Sequence, residues 1–466
     1  MANEDIALMA HLMRRAGFGA GRDELEARVA KGYDATVDEM LNPPADPVDR
    51  LDFLRYQPGH LRPITSPGTG GAPWLHTLLN TQRPLEEKMV LFWHNIFATG
   101  QSKVDHYHVL VDQVDMFREK GMGSFHDLLL AVAKDPGMLY WLDNNDNHEY
   151  AVNENFGREL LELFSMGVGN YTEDDVRECS RAFTGWTVAA VPPRAIIGRF
   201  TWEFEYVDAD HDHEEKTFLG HTGDLNGEDV IEIICEHPAT AQFICRHLYS
   251  FFVADEAQVP AWSVTPPNDP EAVETLTKAF KESKGDISAV LEVLFKSDFF
   301  KNSRFTKIKS PAEVVVGTLR FVGGEEFPAP GIGSMSKQAG YMGQDLLNPP
   351  SVEGWHTGVE WINSGALMKR INFASKMLGD VTRPGIQSII SRLKAAGTLS
   401  HEAFVDDCLD LVGPLELNPA TRQQLVEHAK EEGDLDWGTP DMDQASTQRL
   451  GEMLKLIAAA REFQYA

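Results

Sequence analysis

Over most of its 466 residues the chain places apolar side chains at the three-and-four spacing of amphipathic helices, punctuated by Gly, Pro and Asn. Residues 5–17 read as a helix closed by a Gly-Phe-Gly turn, with further helices from Arg22 to Ala30 and from Ala35 to Leu41. Residues 57–73, rich in Gly and Pro, predict an irregular loop crossing a cleft. Pro84 then opens a strongly apolar helix, LEEKMVLFWHNIFATG, with Gly100 as its terminator. Ser124 with Asp127, Thr172 with Asp175, and Ser310 with Pro311 mark helix starts. From Trp186 to about Leu225 the period drops to two, which predicts a small β-hairpin or sheet inserted near residues 187–225. The fold class expected is mainly α, one large multi-helical body carrying that insertion. Its divisions are an N-terminal helical cap (1–56), a helical core (74–378) with a long loop at 323–363, and a C-terminal helical tail (379–466).

The densest run of polar residues lies between Asp143 and Trp186. The loop Asp143 to Asn153 has six Asn or Asp side chains and no apolar run, so it reads as neither strand nor stable helix. In the helix that follows, Phe156, Leu160, Leu163 and Phe164 form an apolar stripe, while Asn155, Arg158, Glu159 and Glu162 fall on the opposite arc. Glu154, Arg158 and Glu162 are spaced for a ladder of surface ion pairs. The same arc, framed by an Asn-rich loop and by Gly167 and Gly169, also suits a site.

The catalytic candidates are His94, Glu154, Arg158, Glu159 and Glu162. A carboxylate would act as general base or metal ligand, His94 as acid or base, and Arg158 would hold an anionic group. His94 also reads as a core histidine of an apolar helix. Asn95, Asn155, Trp186, Trp355, Trp361 and Asn363 are the substrate-binding candidates. Trp355 and Trp361 stand in one long loop with Asn363 and Arg370 close behind, and should meet Trp186 over the polar arc, with His94 on the opposite wall.

Charge narrows the ligand. With 71 acidic against 42 basic residues, a net charge of −29 disfavours nucleic acid and anionic membranes and suits cations or neutral ligands. Asp143, Asn145, Asn147, Glu149 and Glu154 occupy positions 1, 3, 5, 7 and 12 of a calcium loop, so Asp143, Asn145, Asn147 and Glu154 are candidate ligands for a divalent cation such as Ca²⁺. His148 stands where an EF-hand needs Gly, and the alternative is a turn-rich connection whose carboxamides cap neighbouring helices. A second cluster interleaves Asp208, Asp210 and Asp212 with His211 and His213, and reads either as a metal candidate or as an exposed acidic turn. The four cysteines have no metal or redox spacing. No window reaches the length of a membrane span, and the N-terminus reads as neither a Sec nor a twin-arginine signal, so a cytoplasmic protein is expected.

The ordered segments RRAGFG, RPLEEKMVLFWHNIFAT, NENFGRELLELFSMGVGNYTEDDVRECSRAFTGW, KTFLG, HPATAQFICRHLYSFFV, LNPPSVEGW and WINS resemble the bacterial family called domain of unknown function 1800, from about residue 8 to residue 378. The resemblance carries no established activity. It implies relatives that are as a rule exported and a sulfatase-like partner protein encoded nearby. The family's WHNHF becomes Trp93, His94, Asn95, Ile96 and Phe97 here, so Ile96 replaces a second histidine, while its NEN and RELxEL positions match Asn153, Glu154, Asn155, Arg158, Glu159 and Glu162. Two functions stay open on these residues: a hydrolase-like enzyme, or a non-catalytic interaction or carrier module whose polar cluster locks helices together.

Overall fold

The computed structural model describes residues 2–45, 71–192, 200–326 and 331–466. Among them the chain is mainly α-helical, and its only sheets are two small antiparallel hairpins. Most of the loop expected at 57–73 lies outside the described residues, and Gly71–Asn80 is helical.

Helix boundaries follow local chemistry. Thr172 and Asp175 form a reciprocal capping box at the start of helix Glu173–Ala182, and Ser310 and Glu313 do the same for helix Pro311–Val322. The Ser124 hydroxyl accepts from the Asp127 N–H. His237 ends one helix and caps the next, whose first residue is Pro238. The stretch 323–363 is not one long loop: Ile332–Tyr341 is helical, and its buried Ile332, Ser336 and Ala339 follow a three-and-four spacing hidden among glycines and serines.

The first hairpin pairs Trp186–Val191 with Thr201–Tyr206, in a register that sets Trp186 opposite Tyr206. The second pairs Lys216–Phe218 with His221–Gly223. A single apolar core runs from Ile6 to Phe463, so the helices of the C-terminal tail pack against the same interior as those of the N-terminus. A small separate cluster joins Ile308, Trp355 and Trp361.

One charged knot sits inside this apolar body. Glu313 accepts from its own cap's N–H at Ser310 and pairs with the ammonium of Lys88, whose side chain is fully buried. Burial alone would raise the Glu313 pKa, but Lys88, Arg15 and Lys307 outweigh it and hold the carboxylate well below its usual range. The knot therefore links helix Ala2–Arg15, helix Pro84–Ile96, the loop at Lys307 and helix Pro311–Val322.

Glu313→Gln should destabilise the protein by about 3–5 kcal/mol, because it leaves a buried ammonium without its partner. Glu26→Gln, which removes an exposed carboxylate bound to Arg22 and Arg392, should change stability by less than about 1 kcal/mol. Urea denaturation of the two variants checks the contrast; equal losses would mean that the knot is not special.

Candidate functional site

Helix Pro84–Ile96 has large apolar residues on every side, and all but Glu86 and Asn95 are buried. The consequence for His94 is decisive. Its side chain is 0% exposed and packs edge-on against Trp74 and Trp355, with Phe117 nearby. Among the described residues neither ring nitrogen has a hydrogen-bond partner, and burial lowers its pKa to about 3. His94 is a neutral core imidazole enclosed by Trp74, Phe117 and Trp355.

Asn95 and Trp355 do meet. The Trp355 backbone N–H donates to Asn95 Oδ1 at 2.7 Å, so the helix and the Ser351–Thr357 loop are strapped together. The strap requires Gly354: its φ is +82°, and a Cβ there would overlap the Asn95 carbonyl oxygen. Trp361 packs with Trp355 and Ile308, away from any polar group of the arc. Asn363 is the N-cap of helix Ser364–Leu378, accepting from the Ala366 N–H, so its side chain is committed to the backbone. Arg370 is buried and donates to Gln464 and to the Lys309 carbonyl. Trp186 lies elsewhere, in the main core with Phe183 and Phe204, its indole N–H donating to Asn226. The three tryptophans thus do not share one wall, because Trp186 belongs to a hairpin that packs on its own side of the body.

On helix Asn155–Glu162 the polar arc forms as the sequence predicts, with different pairing. Arg158 reaches Glu154 at 3.3 Å but makes a two-pronged pair with Glu173 at 3.0 and 2.7 Å, tying its helix to the next. Glu162 instead accepts from the Tyr171 hydroxyl at 3.1 Å. Glu159 has no such cation. Burial, then the Glu162 carboxylate, push its pKa up to about 7, with Arg158 opposing and Glu353 adding to the rise.

Each calcium-loop candidate makes a contact inside the protein, while Asn145 Oδ1 is buried without a partner among the described residues. Asp143 binds Lys103 at 2.5 Å and accepts from the Asn155 amide. Asn145 donates to Asp146. Asn147 is buried, accepting from the Asn153 N–H while its amide donates to Asn144 and to the Ser180 carbonyl. Neighbouring Asn144 donates to the carbonyls of Phe183 and Trp186. Asn144 and Asn147 together act as a carboxamide clamp from the loop to the end of helix Glu173–Ala182 and to Trp186.

Glu353, whose field reaches Glu159, also lines a cavity of about 290 Å³. Its walls come from four distant segments: Phe92, Asn95 and Ile96; Leu163; His247 with Phe251; and the strap ending in Trp355. Trp262 and Lys307 complete it. The Nε2 atom of His247 is buried without a partner, as is the indole N–H of Trp355. Burial, with Arg246 beside it, lowers the His247 pKa to about 3, so this imidazole is neutral. Its ring lies tilted against Trp262 at 4.5 Å, and the Arg246 guanidinium covers the same indole at 4.4 Å while pairing with the buried Glu256. Sequence reading missed His247 because it looks like one more turn of helix Pro238–Phe252. The available signal was its place beside Phe243 and Phe251 at four-residue spacing, an imidazole on an aromatic stripe.

Among the described residues no helix is long and apolar enough to cross a membrane. A family model described as "Protein of unknown function (DUF1800)" matches residues 11–465, nearly the whole chain and well past the segments that carried the resemblance. No curated protein and no solved structure matches. The chain belongs to the DUF1800 family.

His94→Leu should leave stability at pH 7.5 unchanged or raised, since it removes two unpaired buried nitrogens at similar volume. The sign of its pH effect is fixed: a folded pKa near 3 against the ordinary 6.5 gives stability that is complete above 6.5 and lost as pH falls. The variant should therefore flatten the acid limb by about 1.4 kcal/mol per pH unit below 6.5. Denaturation midpoints from pH 4 to 8 measure it; large destabilisation at neutral pH would restore a structural or catalytic role for the imidazole.

Proposed function

We propose that the cavity beside Trp355 binds a small polar ligand that is neutral or cationic, with Glu159, on which the cavity-lining Glu353 acts, as the nearby proton-exchanging group. The observation that carries this reading is the convergence of four separate family-resembling segments on one cavity lined by His247 and Trp355, side chains that each bury a nitrogen with no partner among the described residues. The aromatic faces of Trp262 and Trp355 and the carboxylates of Glu353 and Glu360 suit hydroxyl or amino groups and repel anions.

A carboxyl group whose pKa is near 7, next to ionised carboxylates, is what an acid–base step at neutral pH needs. The hydrolase-like reading therefore rests on Glu159 as the acid or base and on Glu353 or Glu162 as its charged neighbour, and it gives His94 no part. The non-catalytic reading draws support from Arg158, whose bonds to Glu154 and Glu173 brace two helices.

Thermal shift with neutral saccharides, primary amines and matched anions should give stabilisation by a neutral or cationic compound, weakened at least tenfold in Trp262→Ala. Stabilisation by anions alone would sink the proposal, and ligand binding without turnover would leave the carrier reading. Glu159 adds a pH test. Its folded carboxyl keeps a proton that the unfolded chain releases, so stability should fall as pH rises from about 4.5 to 7 and then level off. In a dry site this would amount to about 3 kcal/mol; solvent screening at a half-buried group reduces it to about 1 kcal/mol. Glu159→Gln should remove that decline, and an unchanged pH profile in the variant would show that Glu159 does not hold its proton.

A further inference from the structure

On the side of the body that carries the hairpins, His211, His213 and Asp224 bring their donor atoms within 4.8 Å of one another. No other such group of metal-ligating side chains occurs among the described residues. We propose that these three residues form a site for a divalent transition ion of the zinc type, with water completing its coordination.

The donor set selects the ion class. Two imidazoles and one carboxylate suit zinc, cobalt or nickel, whereas calcium and magnesium take oxygen-only shells. Metal bonds of about 2.0–2.1 Å in tetrahedral geometry put donors about 3.4 Å apart. His213 and Asp224 are both more than half exposed, at 53% and 56%, so their side chains are free to close that gap.

Each imidazole has an acceptor behind it. Buried His211 directs Nδ1 to the Thr184 carbonyl at 2.9 Å, which fixes the tautomer and leaves Nε2 as the donor. In His213, Nδ1 lies 3.4 Å from Asp224 Oδ2 while Nε2 lies 3.4 Å from Asp208 Oδ1. An ion between His213 Nδ1 and Asp224 Oδ2 leaves the opposite N–H to Asp208, the outer-shell arrangement that orients metal-bound imidazoles. The buried ammonium of Lys216 is the one unfavourable charge, 3.6 Å from Asp224. It is anchored by the carbonyls of Asp212 and Glu214 and approaches Oδ1, so the oxygen facing His213 stays available. His211 and His213 follow the first hairpin and Asp224 follows the second, so a bound ion would staple the two together.

The full-length protein, stripped with a chelator and desalted, is titrated with Zn²⁺ and with Co²⁺ and followed by metal analysis, visible absorption and thermal melting. One equivalent should bind with micromolar or tighter affinity, with cobalt absorption bands of a low-coordinate site and a raised melting temperature. His213→Ala and Asp224→Asn should each weaken binding by about 100-fold or more. Both side chains are exposed, so the metal-free variants should melt as the metal-free wild type does. His148→Ala removes a neighbouring exposed imidazole paired with Asp210 and should leave binding intact. The proposal is overturned if the stripped protein takes up no equivalent, if both site variants bind Zn²⁺ as tightly as wild type, or if Ca²⁺ or Mg²⁺ stabilises as strongly as Zn²⁺.

Discussion

The carboxylate of Glu313, helped by Asp255 at Lys307, neutralises a concentration of positive charge buried in an otherwise acidic protein. Lys88 pairs with it directly, and Arg15 and Lys307 act on it through the low-dielectric interior. These cations have few alternatives: Arg15 donates to the carbonyls of Phe251 and Phe252, and Lys307 to Ser250 and Asp255. Such a knot adds little net stability, since desolvating the ions offsets most of their attraction, but it penalises every arrangement in which one partner is missing. Its geometric effect reaches the cavity. Lys307 belongs to both the knot and the cavity wall, and Arg15 grips the end of the helix that carries His247 and Phe251.

That dependence explains which features could be read from the chain. Helices and caps were legible because their signals are local: Thr172 with Asp175, or Ser310 with Pro311 and Glu313, satisfy N–H groups within a few residues of themselves. The hairpin region was legible for the same reason, the period of two in TWEFEY surviving whatever packs on it. Small-residue stretches were not, and helix Ile332–Tyr341 hid among Gly and Ser, whose propensities point away from helix until packing against Gly71 and Leu346 decides.

The candidate site was half legible, and the division is again one of range. The polar arc of Asn155 to Glu162 follows from helix geometry alone. What its members bind does not: Arg158 turned to Glu173 instead of Glu162, and Asp143 found Lys103 forty residues upstream. The calcium-loop spacing was real as a pattern, yet a spacing constrains only which side chains share a loop. Within it Asn147 accepts from the Asn153 N–H and donates its amide to the Ser180 carbonyl, while Asn144, outside that spacing, donates to the carbonyls of Phe183 and Trp186. His94 failed differently. Its neighbours on the sequence were correctly read as apolar, but the glycine-dependent strap that lays Trp355 over it could not be seen from either segment separately.

A perturbed carboxyl group is not by itself a site, and Asp135 makes the point. Burial raises its pKa to about 7, much as for Glu159, yet it caps helix Pro136–Trp141 through the Met138 N–H and accepts from Gln113. Those bonds hold a helix start to Gln113, and they oppose the rise that burial and the like charge of Asp112 produce. At Glu159 the rise from burial and from Glu162 and Glu353 is opposed by Arg158 and by no hydrogen bond. Two of those carboxylates lie on one helix and the third arrives on the strap held by Gly354, so folding adds a like charge to a repulsion already built into the helix. Folding brings like charges close only where other contacts overrule the repulsion. Here the overruling contacts are the Asn95–Trp355 strap and the aromatic wall, the same elements that enclose the cavity.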